Sequence, residues 1–451
     1  MIKKTLSEIA SYLDGEVDEK FQDIVINGVA TDTRAIASGN LFLPLKGENT
    51  DGHRYVMDAF AGGAVASLWD RDHENPPSDV PLIFVDDALV ALQDLAKAYL
   101  KSLSVVTIGI TGSNGKTTTK DITAALLSQT FSVHKTQGNF NSHIGLPLTI
   151  LATPANCEVL ILEMGMNQRG EIEFLSKLAE PHIAAITNIG ESHLQDLGSR
   201  EAIADAKCEI VSGLIDDGIL FYHGDEVLLR ERLNTISNKQ SFGMSVKNDF
   251  YPEEIKFERD GTAFTISERE LFLPVLGEHN VLNAIVAIGI ALEFNMTWEA
   301  IADGLRQVKL TNMRSEFVAG ANGETLLNDA YNASPTSMRA ALKLTAALSG
   351  FQRKFVVLGD MLELGEDEVN FHREIGELLD VEKFYQVYTY GELGKHIAEG
   401  ARKHFPESRV LHFNDKEQLV QQLKVVTQKN DLVLVKASRG MRLEEVINAL
   451  I

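Results

Sequence analysis

Cysteine is nearly absent. The 451-residue chain has two, Cys157 and Cys208, with no C-x-x-C spacing. That excludes a disulfide framework and predicts a reducing compartment. Basic residues are the minority: 42 Lys and Arg against 64 Asp and Glu leave a formal net charge of −22. Such a surface does not hold nucleic acid over a broad face. Anionic ligands must be met locally, by loops, single basic residues and divalent cations. Long apolar runs are missing too. The longest, AIVAIGIAL at 284–292, is too short to span a bilayer. The opening MIKKTLSEIASYLDGEV lacks the apolar core of a secretory signal. Instead, Thr5 and Glu8 predict a capping box at the head of a short amphipathic helix. Together these absences predict a cytoplasmic protein with no membrane insertion and no nucleic-acid partner.

What is present is an alternation of short apolar runs with helical stretches. Strands are expected at DIVINGVATDTR, NLFLPLKG, AVASLWD and PLIFVDD within residues 1–98, and at SVVTIGITG (104–112), EVLILEMG (158–165) and HIAAITNIG (182–190) beyond them. Polar, irregular sequence at 216–275 reads as a β-rich flank, and a helix follows at HNVLNAIVAIGIALEF. A second series holds KFVVLGD (354–360), FYQVYTYG (384–391), SRVLHF (408–413) and DLVLVKAS (431–438). Strands alternating with helices predict an α/β class with mostly parallel sheets covered on both faces. At roughly 150 residues per domain the length predicts about three domains, with divisions near 98 and 313.

The stretch TIGITGSNGKTTTKD (107–121) carries the chemistry. A strand, a Gly/Ser/Asn turn and a helix N-terminus direct backbone N–H groups into one concavity, which suits phosphate. The strict phosphate-loop pattern wants a glycine five places before Gly115, where Ile110 stands; glycines stand at 109 and 112 instead. In this reading Thr111, Gly112, Ser113, Asn114, Gly115 and Thr118 form the cradle, Lys116 reaches the terminal phosphates, and Thr117 holds Mg²⁺. Glu163 ends an apolar strand, where ligands collect in open α/β sheets, and is a candidate Mg²⁺ ligand; a solvated strand-end acid is the alternative. His193 falls at the same edge, with location as its only independent support.

In SREAIADAKCEIVSGL, Ile203, Lys207, Ile210 and Leu214 recur at helical spacing, so a lysine falls on the apolar stripe. Such a lysine usually snorkels to water; the alternative is a buried functional amine. In GEHNVLNA (277–284), Asn280 and Asn283 share a helix face. They suit a base edge, although Asn280 also suits a helix cap. In LNDAYNASPTSMRAAL (327–342), Asp329, Asn332 and Ser337 sit where a substrate would lie, or form an ordinary turn and cap. Lys436, Ser438 and Arg439 end a strand in VKASRGMRLEE.

These motifs together resemble the Mur ligase superfamily, the ATP-dependent amide-bond ligases of peptidoglycan synthesis. TGSNGKTT is that family's offset loop, and DGHRYVMDAFAGGA, TQGNFNSHIGLPLTIL, LILEMGMNQRGEIEFLS, ITNIGESHLQDLGSREAIADAKCEI, NDAYNASPTSMRAAL and LGDMLELGE also match. The resemblance implies three domains: a UDP-sugar-binding domain (1–98), a central ATP-binding domain (99–313) and a C-terminal Rossmann-like domain (314–451). The implied reaction joins D-alanyl-D-alanine to the tripeptide of UDP-N-acetylmuramoyl-tripeptide, using ATP and two Mg²⁺ ions, in a monomer. Carried over by position, Glu163 and His193 become metal ligands. Lys207 matches a lysine that is carbamylated in several members, where it supports the second metal. Asn280 and Asn283 match the adenine side. Arg314 and Asp329 match residues brought to the nucleotide from the C-terminal domain. Thr33, Arg34, Lys46 and Gly47 match segments that contact the UDP group, and Asn141, Asn332 and Ser337 are further substrate candidates. The family's Lys-Gly-Ser-Arg-Gly reads KASRG here, with Ala437 for glycine. Other Mur-type ligases and folylpolyglutamate synthetase are the near alternatives. A phosphate-loop nucleotide switch is the alternative of another class.

Overall fold

In the computed structural model, which describes residues 1–47, 50–258 and 260–451, the apolar runs form three sheets in which parallel pairing predominates. The central sheet has six strands, in the order Lys239–Phe242, Ile219–His223, Ile183–Ile186, Val106–Thr111, Val159–Glu163, Val133–Lys135. All five pairings are parallel. Successive side chains point to opposite faces. Ala184 and Ile186 therefore pack with Leu146, Ile172 and Ile203 on one side. Ile183 and Ala185 pack with Ile122, Ile285 and Ile288 on the other. The segment expected as a β-rich flank divides. Its first two strands extend the parallel sheet. Only Glu254–Phe257, Thr262–Ile266 and Arg269–Leu273 form a separate antiparallel sheet.

The N-terminal residues build a five-stranded sheet plus the antiparallel pair Lys3–Thr5 and Val25–Asn27. Thr5 and Glu8 make the expected capping box on the helix Leu6–Tyr12. This part shares one continuous core with the central sheet: the Ile2 N–H donates to the Leu151 carbonyl at 2.8 Å, and Tyr99 Oη donates to the Thr153 carbonyl at 2.8 Å. A division at 98 falls inside the helix Ala88–Lys101; the chain passes between the sheets after it. The C-terminal sheet runs Glu316–Ala319, Thr325–Asn328, Asp431–Lys436, Arg353–Gly359, Gln386–Tyr390, Val410–Phe413, with one antiparallel pair at its edge. Its strand ends face those of the central sheet, and the site lies between them. No helix among the described residues is long and apolar enough to cross a membrane.

Candidate active site

The strand Val106–Thr111 leads into the loop 112–115 and then the helix Lys116–Leu127. Two positions require glycine. Gly112 has φ 142°, and a Cβ there would lie 1.9 Å from Thr187 Oγ1. Gly115 has φ 83°, and a Cβ there would meet Asn283 Oδ1 at 2.4 Å. Ile110, at the place where a strict loop would have glycine, is a fully buried strand residue. The offset therefore reflects where the turn begins.

Only part of the loop is free for a ligand. The Ser113 N–H donates to the Asn188 carbonyl at 3.0 Å and the Asn114 N–H to Asn188 Oδ1 at 2.9 Å. Thr111 lies beneath the loop, its Oγ1 donating to the Met164 carbonyl. The first intrahelical bond runs from the Thr119 N–H to the Gly115 carbonyl. The amides of Lys116, Thr117 and Thr118 therefore head the helix without intrahelical acceptors, at the positive end of its dipole. Lys116 Nζ donates to the Gly112 carbonyl at 2.7 Å. Loss of water holds its pKa below the ordinary lysine value, opposed by Glu163 and assisted by Arg314.

Around this helix head, side chains from both sheets converge on a cavity of about 370 Å³. Thr117 Oγ1 donates to Glu163 Oε2 at 2.9 Å and accepts from Arg314 Nη2 at 2.9 Å. Asn141 Nδ2 donates to Glu163 Oε1 at 2.8 Å. Arg314 stacks over Tyr331, 4.2 Å from its ring centroid. Asp329 accepts from the Ser315 N–H and pairs with Lys436. His193 stands at φ 65°, with Nδ1 3.1 Å from Glu363 Oε2 but outside hydrogen-bond geometry. Burial lowers its pKa to about 4, with the Lys207 and Lys116 charges adding to the effect, so the ring is neutral at pH 7.

Lys207 lies behind this wall and is 1% exposed. Its Nζ has no hydrogen-bond partner, and desolvation holds its pKa well below the ordinary value. The helix carrying it, Arg200–Cys208, tightens into a 3₁₀ turn at Glu209–Gly213, yet Ile203 and Ile210 remain buried on the same side. Nine buried side-chain atoms among the described residues lack a partner. Five of them, on Ser113, Asn114, His193, His223 and Arg314, belong to residues lining this cavity. Buried polar groups are normally satisfied, so this clustering marks the cavity as built for a polar ligand.

Asn280 is not the helix cap. Gly277 is, and Asn280 lies inside the helix Glu278–Glu293. Thr119 Oγ1 donates to Asn283 Oδ1, Asn283 Nδ2 to Asn280 Oδ1, and Asn280 Nδ2 to the Leu276 carbonyl. This chain of bonds fixes the second helix against the phosphate-loop helix. Asn332 and Ser337 line the cavity, and Ser337 also closes a capping box with Ser334 on the helix Pro335–Ala347.

Models of three parts of one family match the chain in series: the Mur ligase family catalytic domain at residues 25–100, the Mur ligase middle domain at 110–291, and the Mur ligase glutamate ligase domain at 313–439. Over its full length the chain is 52% identical to the UDP-N-acetylmuramoyl-tripeptide–D-alanyl-D-alanine ligase of Bacillus subtilis (strain 168), covering 99% of that protein. The chain belongs to the Mur ligase family. The Escherichia coli (strain K12) ligase of the same name is 34% identical across the whole chain and 99% of its own length. Among solved structures, MurF from Acinetobacter baumannii superposes with TM-score 0.89 at 28% identity, over 100% of this chain and 99% of that one. The Thermotoga maritima MurF ligase in complex with ADP gives TM-score 0.84 at 29% identity, over 94% and 97%.

Four candidates of this Mur ligase stand apart from the cavity. Thr33, Arg34, Lys46 and Gly47 belong to the N-terminal sheet's loops and do not line it. Arg34 Nη2 pairs with Asp32 Oδ2 at 2.6 Å, and Lys46 Nζ with Asp70 Oδ2 at 2.8 Å. Near Lys46, Asp51, His53 and His73 bring donor atoms within 4.8 Å of one another, but they do not form a metal site. The Asp70 N–H donates to His53 Nε2 at 3.2 Å, so His53 Nδ1 carries the proton and donates a hydrogen bond to Asp51 Oδ1 at 2.8 Å. The two imidazoles stack, with centroids 4.2 Å apart and planes 12° apart. One ion cannot lie in the plane of both rings.

Sequence reasoning passed over Glu191, Thr336, Asn188 and His223. Glu191 is 7% exposed and accepts from the Thr336 N–H at 3.0 Å and from Thr336 Oγ1 at 2.8 Å. It thereby caps a helix of the C-terminal part from the central part. The helix N-terminus favours such a carboxylate, but the two residues are 145 positions apart, and no local pattern joins them.

Proposed function

We propose that this Mur ligase joins D-alanyl-D-alanine to the tripeptide carboxylate of UDP-N-acetylmuramoyl-tripeptide at the expense of ATP, in the cytoplasm. The observation that carries the reading is the 52% end-to-end identity with a ligase of that name; the site supplies the chemistry. The tripeptide carboxylate attacks the γ-phosphate, ADP leaves, and an acyl phosphate results. The dipeptide amine then attacks the acyl carbon, loses its proton, and phosphate leaves. Phosphoryl transfer of this kind rests on positioning and electrostatics. The free amides at the helix head, Lys116 and Arg314 bind and neutralise the phosphates. Asn280 and Asn283 form the wall toward the adenine. Asp329 fixes the chain beside Arg314 and pairs Lys436 into the cavity. Docking of the C-terminal part over the loop excludes water, which would hydrolyse an acyl phosphate.

The residues fit Mg²⁺. Thr117 and Glu163 present adjacent oxygens, His193 is neutral, and Lys207 is a buried amine without a partner. A low-pKa amine exists in the neutral form that adds CO₂. The resulting carbamate would supply an anionic ligand beside His193, so that Thr117, Glu163, His193 and carbamylated Lys207 would hold two ions. Bound Mg²⁺ supplies charge neutralisation for the transferring phosphoryl group.

The test is ADP release from the purified chain with ATP, UDP-N-acetylmuramoyl-tripeptide and D-Ala-D-Ala, each omitted in turn. Release that needs both the nucleotide sugar and the dipeptide is expected. Release from ATP alone at the same rate would make the protein a nucleotide switch and overturn the proposal. Running lysine- and diaminopimelate-containing tripeptides in parallel identifies the substrate's third residue.

A further inference from the structure

Arg314 sits on the linker between the central and C-terminal sheets, and its placement is not free. It is flanked by Met313 at φ 63° and Ser315 at φ 51°, left-handed conformations that cost a non-glycine residue about 1 kcal/mol or more each. Something must hold this segment. Two amides are held locally: the Met313 N–H donates to Glu316 Oε2 and the Ser315 N–H to Asp329 Oδ1, both at 3.0 Å.

A third attachment comes from the phosphate-loop helix. Asp121 is 3% exposed, and its Oδ2 accepts from the Thr311 N–H at 3.0 Å and from Thr311 Oγ1 at 2.8 Å. Its other oxygen accepts from Lys135 Nζ at 2.6 Å and lies 3.5 Å from Lys120 Nζ. Burial alone would raise the Asp121 pKa, but Lys120, Lys135 and Thr311 hold it below the ordinary carboxylate value, so the acceptor is an anion. Thr117, which receives Arg314, and Asp121, which receives Thr311, are four residues apart on one helix, and therefore on one face. The linker is thus pinned twice to the same helix, one turn apart.

We propose that Asp121 is a positioning residue for Arg314. Through Thr311 it fixes the linker to the helix that carries the phosphate loop, so that the guanidinium arrives at Thr117 already aimed. This rests on the ligase reading for its kinetic consequence, but not for the anchoring itself.

The experiment uses the full chain and two variants. Thr311→Val keeps the side chain's size and removes one donor; Asp121→Asn removes the charge. With saturating UDP-tripeptide and dipeptide, Thr311→Val lowers kcat roughly tenfold or more, the weight of one hydrogen bond to a charged group. The KM for ATP stays within about twofold and the thermal midpoint within about 2 °C, because one hydrogen bond is small against the unfolding entropy of a chain this long. In an Arg314→Ala background the same change costs nothing further, since the anchor acts only through that guanidinium. A loss that multiplies in the double variant, or an unchanged kcat for Thr311→Val, overturns the proposal. Asp121→Asn is expected to be the stronger lesion; if it fails to fold, Thr311→Val decides.

A second readout needs no turnover. In protein saturated with ADP, Thr311→Val speeds hydrogen exchange across residues 310–316, whereas unchanged exchange removes the anchor. If the wild type releases no ADP in response to dipeptide, the ligase reading falls and the exchange result still stands.

Discussion

Lys120 and Lys207 are each 1% exposed, yet they are buried in different ways. Lys120 lies on the phosphate-loop helix, where its Nζ donates to the Thr136 carbonyl at 2.8 Å and sits 3.5 Å from Asp121. Thr136 Oγ1 in turn accepts from the Glu163 N–H at 3.0 Å. Its charge is compensated, and its task is to brace the strand that presents Glu163. Lys207 has no partner at all. Desolvation comes first among the causes lowering both pKa values; at Lys120 the next is Asp121, which opposes it, and at Lys207 the next is Lys116, which adds to it. The difference teaches that a buried amine with partners is scaffold, while one without is chemically available. An unpaired buried charge is costly enough that the group gives up its proton instead.

The comparison breaks first on activity. Lys207→Ala is expected to lower kcat roughly 10³-fold or more, about 4 kcal/mol in the barrier. Added short carboxylates should restore part of it by entering the vacated space. Full activity of that variant would remove Lys207 from the chemistry. Lys120→Met tests the other half. It leaves the Thr136 carbonyl without its donor and Asp121 with Lys135 and Thr311 alone, a loss of about 1–3 kcal/mol of stability, read by urea unfolding. Carboxylates should rescue nothing there. Rescue of Lys120→Met, or none of Lys207→Ala, would erase the distinction.

Sequence pattern reached one of these lysines and missed the other. Lys207 interrupts a helical stripe of Ile203 and Ile210, so its inward direction is written in local spacing. Lys120 stands in the polar run TTTKD (117–121), which carries no such stripe. Its Nζ is met by the Thr136 carbonyl just beyond a neighbouring strand, and its neighbour Asp121 by Thr311 from the linker, 190 positions away. The same division runs through the fold. Strands and their parallel order follow from alternating apolar runs, whereas the strands Ile219–His223 and Lys239–Phe242 hide in polar sequence because they lie toward the edge of the central sheet. Ala437, the departure from the family loop, has no positive φ and is fully buried against Gly359, where an added Cβ would lie 2.8 Å from its own. The residue opposite accommodates the methyl, and no local pattern discloses that partner.

Stability sharpens the comparison next, and in the opposite direction. Lys207→Met should stabilise the fold at neutral pH by about 1–3 kcal/mol, because it replaces an unpartnered polar group with an apolar one of similar length. Lys120→Met should destabilise it. The same urea series measures both. Destabilisation by Lys207→Met would mean that the amine makes an interaction the fold depends on.

The smallest effect is the most diagnostic. The pKa of Lys207 in the folded chain lies well below its ordinary value of 10.5. Between those two values the unfolded chain carries a proton that the folded chain does not, so unfolding takes one up. Wild-type stability therefore rises with pH across that window, by up to about 1.4 kcal/mol per unit. The methionine variant has no such group, so its lead over the wild type must shrink as pH rises and level off above the unfolded lysine's pKa. Unfolding free energies of the two proteins, compared from about pH 8 to about pH 10 in buffer freed of CO₂, read this directly. Bicarbonate should steepen the trend, since carbamate forms only on the folded, neutral amine. A lead that stays constant across the range would mean that Lys207 keeps its proton when buried, and the argument for an amine poised to accept CO₂ would fail.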